Sequence, residues 1–372
     1  MLNKPPEVEK IPIVKYVSLA DASYENYTIK DVAAKNTPLL FKRLKGDYGH
    51  LGFTDHIYWA SFTIENSTAQ PLFYYLEAGV AMTDRVSCFL SSAGGGFTKQ
   101  LSGDEIAFSK RSVKHRDPLF NISLRPHEKK QVYLEIRNDG ERNMLPINLL
   151  SEKYLFQSSY LSQIKMGFFY GMLLIIAITY LFFFIAINER SFLVYSLYVV
   201  FVGLCQFSLD GLFHQYISPG GSSWLSTHAV IMSAIFAAYF FGRYSELVLN
   251  IRNTLPLLHT TFRGLYVLLG LVMVAVLMAP PFLRFSYPIV NILTLGGIIL
   301  IFATIVTLLI QGRKMDVFYM IGIGFLFFTI LASILSNFGF IDPEISSDDI
   351  TKLGIGLENI ALSLSMANRI RL

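Results

Sequence analysis

From Met166 to the end of the chain, seven long apolar runs follow one another: residues 166–187, 192–209, 229–249, 264–283, 285–310, 317–341 and 350–370. Most reach the ~20 residues a helix needs to cross a hydrocarbon layer of ~30 Å. The second is short and the seventh is the most polar. Stretches such as MLLIIAITYLFFFIAI (172–187) and GGIILIFATIVTLLI (296–310) are apolar on every side. A soluble bundle instead alternates apolar and charged faces. The pattern predicts a seven-helix membrane domain over residues 166–372.

Charge sets its expected orientation. With the chain entering from outside, the inner connections carry Arg190, Arg243, Arg252, Arg263, Arg313, Lys314, Arg369 and Arg371, and the outer ones only Arg284 and Lys352. Basic residues resist translocation, so the N-terminal part is expected outside and the C-terminus in the cytoplasm. The net charge of +4 therefore reads as topology, and nucleic acid is not expected as a partner. MLNKPPEVEK has no apolar core of signal-peptide length. Export of the outer part is then expected to rely on the first membrane helix, or the N-terminus to be processed or trimmed.

Residues 1–150 are more polar and carry short runs rich in Val, Ile, Tyr and Phe: 11–19, 56–66, 71–80, 85–92, 119–124, 130–138 and 145–151. Gly, Pro, Asn and Asp clusters separate them, a spacing that predicts an antiparallel β-sandwich or barrel. In WASFTIEN, Trp59, Ser61, Thr63 and Glu65 share one face of the strand, and Ala60, Phe62 and Ile64 the other. Residues 151–165 lack turn residues, and near-helical spacing of Leu150, Tyr154, Leu161 and Ile164 predicts a helical connector. Two further features concern the membrane part. Gly167-Phe-Phe-Tyr-Gly171 is a close-approach pattern, expected to serve packing within the bundle before a dimer seam. Residues 250–263 are long enough for a short interfacial helix.

In the last run Gly354, Glu358, Ala361 and Ser365 form one stripe, with Asn359 beside it. A carboxyl at membrane depth is costly, so Glu358 is expected to face the bundle interior. Glu358 and Asn359 are candidates for an intramembrane switch. The plainer reading, a packing polar pair held by neighbours such as Asn337, ranks ahead of it.

The order and spacing of several motifs resemble the bacterial seven-transmembrane receptors with diverse intracellular signalling modules (7TMR-DISM). The membrane part supplies GFFYGMLLIIAITYLFFF, ERSFLVYSLYVV, DGLFHQYISP and GIGLENIALSLSMANRIRL. The front part supplies YWASFTIEN, DRVSCFL, GDEIAFSKRSVKHRDPLFNISL, VYLEIRN and LPINLLS, similar to that family's second extracellular domain. The resemblance implies a jelly-roll sandwich akin to carbohydrate-binding modules, facing the periplasm from the inner membrane. It also implies a cytoplasmic output beyond the last helix, such as a histidine kinase of a two-component system or a diguanylate cyclase. No such module lies within these 372 residues.

Candidate site residues in the front part are Trp59, as an aromatic platform, with Asp84, Asp104, Arg111 and His115. Against each stands a structural role: Trp59 as core, and Arg111 paired with Asp104 to fasten a loop. Metal and cofactor sites are not expected, since the seven histidines are scattered and Cys88 and Cys205 fall in different parts. Hydrolase, P-loop and dinucleotide motifs are missing, so this region is not read as an enzyme. The expected function is reception of a carbohydrate-like small molecule or a protein partner, by a protein forming a homodimer in the bilayer. The alternative is a transporter or membrane enzyme with an extracytoplasmic lid.

Overall fold

The computed structural model describes residues 2, 9–44, 49–92, 94–140, 142–220, 223–337 and 348–371. They form two compact units, Met1–Gln163 with Phe207–Thr227, and Ile164–Gln206 with His228–Leu372.

The first unit is a two-sheet sandwich. Its strands are β1 (Lys10–Pro12), β2 (Ser18–Asp21), β3 (Lys42–Arg43), β4 (His50–Phe53), β5 (Tyr58–Glu65), β6 (Leu72–Ala78), β7 (Arg85–Ser91), β8 (Phe97–Ser102), β9 (Leu119–Leu124), β10 (Lys129–Arg137), β11 (Arg142–Met144) and β12 (Ile147–Leu150). One sheet has the order β1-β12-β6-β9 and the other β3-β2-β5-β10-β7-β8, while β11 and β4 form a separate pair. The named strands pair antiparallel throughout.

Alternation explains why the sheets close on each other. Ala60, Phe62 and Ile64 of β5 lie in register beside Leu134, Val132 and Lys130 of β10. With Val86, Cys88 and Leu90 they meet Leu76, Tyr74, Phe120, Ile122 and Leu149 from the facing sheet. Fully burying one such aliphatic side chain contributes about 2 kcal/mol. The opposite face of β5 is covered too. A short helix, α1 (Ile29–Val32), and its flanks bring Val32 and Leu39 over Trp59 and Phe89. Thr28 and Asp31 close the start of α1 with a reciprocal capping box.

The second unit draws on seven long helices: α2 (Glu152–Ile187), α3 (Arg190–Leu209), α4 (Ser223–Val248), α6 (Pro256–Met278), α7 (Leu283–Ile310), α8 (Val317–Asn337) and α9 (Asp348–Arg371), with the one-turn α5 (Ile251–Thr254) before α6. Six of them are long and apolar enough to cross a membrane, whereas α9 has the length but keeps a polar stripe. Their ends have local causes. Asn188 and Asn250 adopt left-handed backbone at φ 57° and 51°, and Gly312 at 74°, the usual helix-stopping conformation. Pro280 and Pro281 separate α6 from α7, because proline lacks the N–H that the next turn needs.

Three expectations change. Residues 250–263 hold only α5 before α6 begins at Pro256, so the connection is shorter than expected and α6 starts eight residues before 264. A Cβ at Gly167 or Gly171 would meet no atom within 4 Å, so these glycines do not serve a close helix approach within the bundle. That role falls to Gly354, where a Cβ would lie 2.0 Å from the Thr329 hydroxyl, and to Gly322, where it would lie 2.7 Å from Leu362. The 317–341 run is helical to Asn337, and its last residues, like the Asn337 side chain, lie outside what the structure describes.

Candidate functional site

The first site grows from the neighbouring ends of β7 and β8. Their register sets Val86 opposite Ser102, so Asp84 and Asp104, each two residues beyond that pair, reach the same end of the sheet. Gly103 makes the turn possible. Its φ is +119°, and a Cβ there would lie 2.3 Å from the Asp84 carbonyl oxygen. The amides of Asp104 and Glu105 donate to the carbonyls of Thr83 and Asp84 at 3.0 and 2.9 Å. Asp104 is buried and hydrogen-bonded to Asp84. Burial pushes its carboxyl up to about 7, against the pull of that hydrogen bond and of the Arg111 charge.

Arg111 is also buried, which brings its guanidinium down to about 10. The expected Arg111–Asp104 pair is replaced by backbone contacts. Arg111 donates to the carbonyls of Ile106 (3.5 Å), His115 (2.9 Å) and Arg116 (2.8 Å), and lies over the Phe108 ring. Asp104 acts on it through charge alone. Five donors in a planar fork suit this task, for which lysine has no equivalent.

The loop so fastened, residues 103–118, holds two other segments. His115 accepts the Asp117 amide at Nδ1 (3.1 Å), so its Nε2 carries the proton and donates to Ser159 on α2 at 3.3 Å. Burial keeps the imidazole below its ordinary range. Arg116 donates to Ser162, one turn further along α2. On the other side, His214 donates from Nε2 to the Ile106 carbonyl (3.1 Å) and takes Ser226 at Nδ1 (3.2 Å). Burial, then the Arg111 charge, lowers His214 to about 4. The Phe108 amide donates to Pro219, and Gly211 (φ +73°) lets Ala81 approach closely. The connection 207–227 thus packs with the sandwich unit.

Trp59 stands apart from this group. It is 1% exposed and stacked on Phe89 at 5.7 Å, so it offers no platform to a ligand in solution. Alternation along β5 points it away from the sandwich core, but segment 20–41 covers it.

The second site surrounds α9. Glu358 and Asn359 are fully buried. Tyr198 of α3 donates to Glu358 Oε1 at 2.5 Å, and Asn359 Nδ2 donates to the Ile355 carbonyl at 2.9 Å. Tyr195 is placed between the Asn359 carbonyl (2.9 Å) and the Ser363 hydroxyl (3.0 Å), and Tyr180 of α2 donates to the Ser363 carbonyl. Tyr244 of α4 and Tyr319 of α8 extend this aromatic group, with ring centroids 6.1 Å apart. The neighbour that holds the carboxyl is therefore Tyr198, with the other tyrosines bonded to the α9 backbone and Ser363 beside it.

Sequence reading missed three parts: His214, the tyrosines of α4 and α8, and a second buried carboxyl. Glu246 accepts from Arg243 (2.6 Å), His259 (2.5 Å) and Tyr266 (2.9 Å). The spacing of Arg243 and Glu246, one helical turn apart, was the available signal. Among the described residues no group of three His, Cys, Asp or Glu side chains is placed to hold a metal ion.

Residues 143–369 match the family model described as 7TM diverse intracellular signalling, and residues 15–151 match the one described as 7TMR-DISM extracellular 2. No curated protein matches the chain. The two matched segments cover the sandwich from β2 onward, the helices as far as residue 369, and both sites.

Proposed function

Because the chain belongs to the 7TM diverse intracellular signalling family, a membrane receptor type with an extracellular sensor domain, we propose how a signal enters and leaves it. The sandwich faces the periplasm from the inner membrane and binds a carbohydrate-like small molecule or a partner protein. Binding shifts the 103–118 loop, which loads α2 and the α3–α4 connection together. The bundle passes that bias to α9, whose end leads to a kinase or cyclic-dinucleotide output in the cytoplasm. A ligand can act this way only by binding one of two receptor states more tightly.

One observation carries the reading: a single arginine-fastened loop bonds both to Ser159 and Ser162 of α2 and, through Ile106 and Phe108, to His214 and Pro219. Continuous helix then runs from Glu152 to Ile187, 36 residues or roughly 54 Å, more than a bilayer requires. A rigid rod transmits displacement where a Gly/Ser-rich tether would absorb it.

The test is hydrogen exchange on the full chain in nanodiscs, with a panel of oligosaccharides and periplasmic extract fractions. A binding component is expected to change protection at 103–118 and in the first turns of α2. Binding that leaves both unchanged refutes the relay. Absence of binding across both sets refutes the sensory reading.

A further inference from the structure

His115 holds its turn through a bond that exists only while its ring is neutral. The Asp117 amide donates to Nδ1 at 3.1 Å, so that nitrogen must present a lone pair. The carboxylate of the same Asp117 lies 3.6 Å from the same nitrogen. A proton on Nδ1 therefore reverses which of the two groups it can bond. The amide is expelled, because two donors then face each other, and the carboxylate gains a charged partner. Nε2 already carries its hydrogen toward Ser159 in both forms, so an added proton has only Nδ1 to occupy. The side chains of His115 and Asp117 are 22% and 23% exposed, which lets that proton arrive from water.

The turn sits among charges from three elements. Arg116, between the two residues, brings its guanidinium to 3.5 Å from the same Asp117 oxygen and also donates to Ser162 of α2. Asp117, Arg116 and Arg111, all of the loop itself, act on the imidazole. Glu77 of β6 accepts from Asn148 of β12 at 2.6 Å and feels the charges of Asp117, Lys10 of β1 and Arg116. From α2 come the hydroxyls of Ser159 and Ser162. Burial, then the Asp117 charge, holds the Glu77 carboxyl above its ordinary 4.5, while burial holds the imidazole below its ordinary 6.5. As pH falls, the ring gains a positive charge and Glu77 gives up the negative one that repels Asp117.

We propose that the sandwich unit senses acid directly: a proton taken up at His115 Nδ1 exchanges the Asp117 amide for the Asp117 carboxylate and resets the turn 115–117 that holds the start of α2. The proton comes from water, the Nδ1 lone pair becomes an N–H bond, and the Asp117 amide is released to solvent. Arg116 then shares Asp117 Oδ2 with the imidazolium, so the contacts to Ser159 and Ser162 change in one step. That this change reaches an output rests on the receptor reading above. The exchange itself belongs to the turn and needs neither ligand nor output.

The experiment uses the full chain in nanodiscs with isotope-labelled histidine, followed by NMR from about pH 8 to about pH 5. The His115 signal, assigned by its loss in His115→Asn, is expected to titrate with a midpoint below 6.5. Hydrogen exchange is read alongside, relative to unstructured peptides of the same sequence. Protection at Asp117 and at residues 159–162 should fall by about fivefold or more, with the same midpoint. His115→Asn keeps an oxygen to accept the Asp117 amide and cannot charge, so its protection should stay at the alkaline level throughout. Asp117→Asn keeps the amide but removes the carboxylate, and should lower the proton affinity of the ring by about tenfold. A ring that stays neutral across the range, a titration with no change in protection, or an equal response in His115→Asn would each overturn the proposal. Failure of the receptor reading would show instead in the ligand panel, with the titration intact.

Discussion

Replacing Asp104 by asparagine tests the loop at its most sensitive point. The carboxyl titrates at 3.8 when free and at about 7 in the fold, so the native state holds a proton that the unfolded chain has released. Between those values the native chain binds more protons, and stability must fall as pH rises. The stabilising proton is fully in place below about pH 4 and lost above about pH 7. About three units at ~1.4 kcal/mol each set an upper limit of about 4 kcal/mol, reduced where Asp84 shares the proton. Asparagine keeps a carbonyl oxygen to accept from Asp84 and has no proton to lose. The measurement is thermal melting of the full chain from pH 5 to 8 in a Trp224→Phe background, where buried Trp59 reports on the sandwich. Asp104→Asn should flatten the decline and be more stable than the parent above pH 7. A decline as steep as the parent's would refute the shared-proton account of this turn.

Other substitutions separate the remaining contacts. Arg111→Lys removes the fork that spans three carbonyls and should lower sandwich stability by about 2 kcal/mol in urea melts. Gly103→Ala meets both a φ of +119° and the Asp84 carbonyl, and should cost about 3 kcal/mol by the same assay. Tyr198→Phe leaves a Glu358 oxygen without its donor and should destabilise the bundle by about 2 kcal/mol, read by circular dichroism during heating.

Much of the fold was legible because it rests on periodicity. Alternation in WASFTIEN set Ala60, Phe62 and Ile64 on one face, which is the face that enters the sandwich core, and long apolar runs located the helices without reference to neighbours. What failed was long-range. Nothing local to Trp59 says that residues 20–41 fold back across it. Nothing in DGLFHQYISP says that Gly211 will lie against Ala81, or that His214 will bond Ile106. The start of α6 was missed because hydropathy breaks at Arg263, while the backbone continues helically from Pro256. At α9 the cost of a buried carboxyl marked Glu358, but Tyr198 and Tyr244 looked like ordinary apolar residues of their helices. The Tyr198 hydroxyl gains its partner, and the Tyr244 ring its place against Tyr195, only once the helices are packed.

The receptor account requires the sandwich and the end of α9 to lie on opposite sides of one membrane. Single cysteines at exposed Lys99 and Asn368, in a Cys88→Ala, Cys205→Ser background, can be treated with a membrane-impermeant maleimide before and after lysis of spheroplasts. Lys99→Cys should react in intact spheroplasts and Asn368→Cys only after lysis. Reaction of both from the same side would contradict the account.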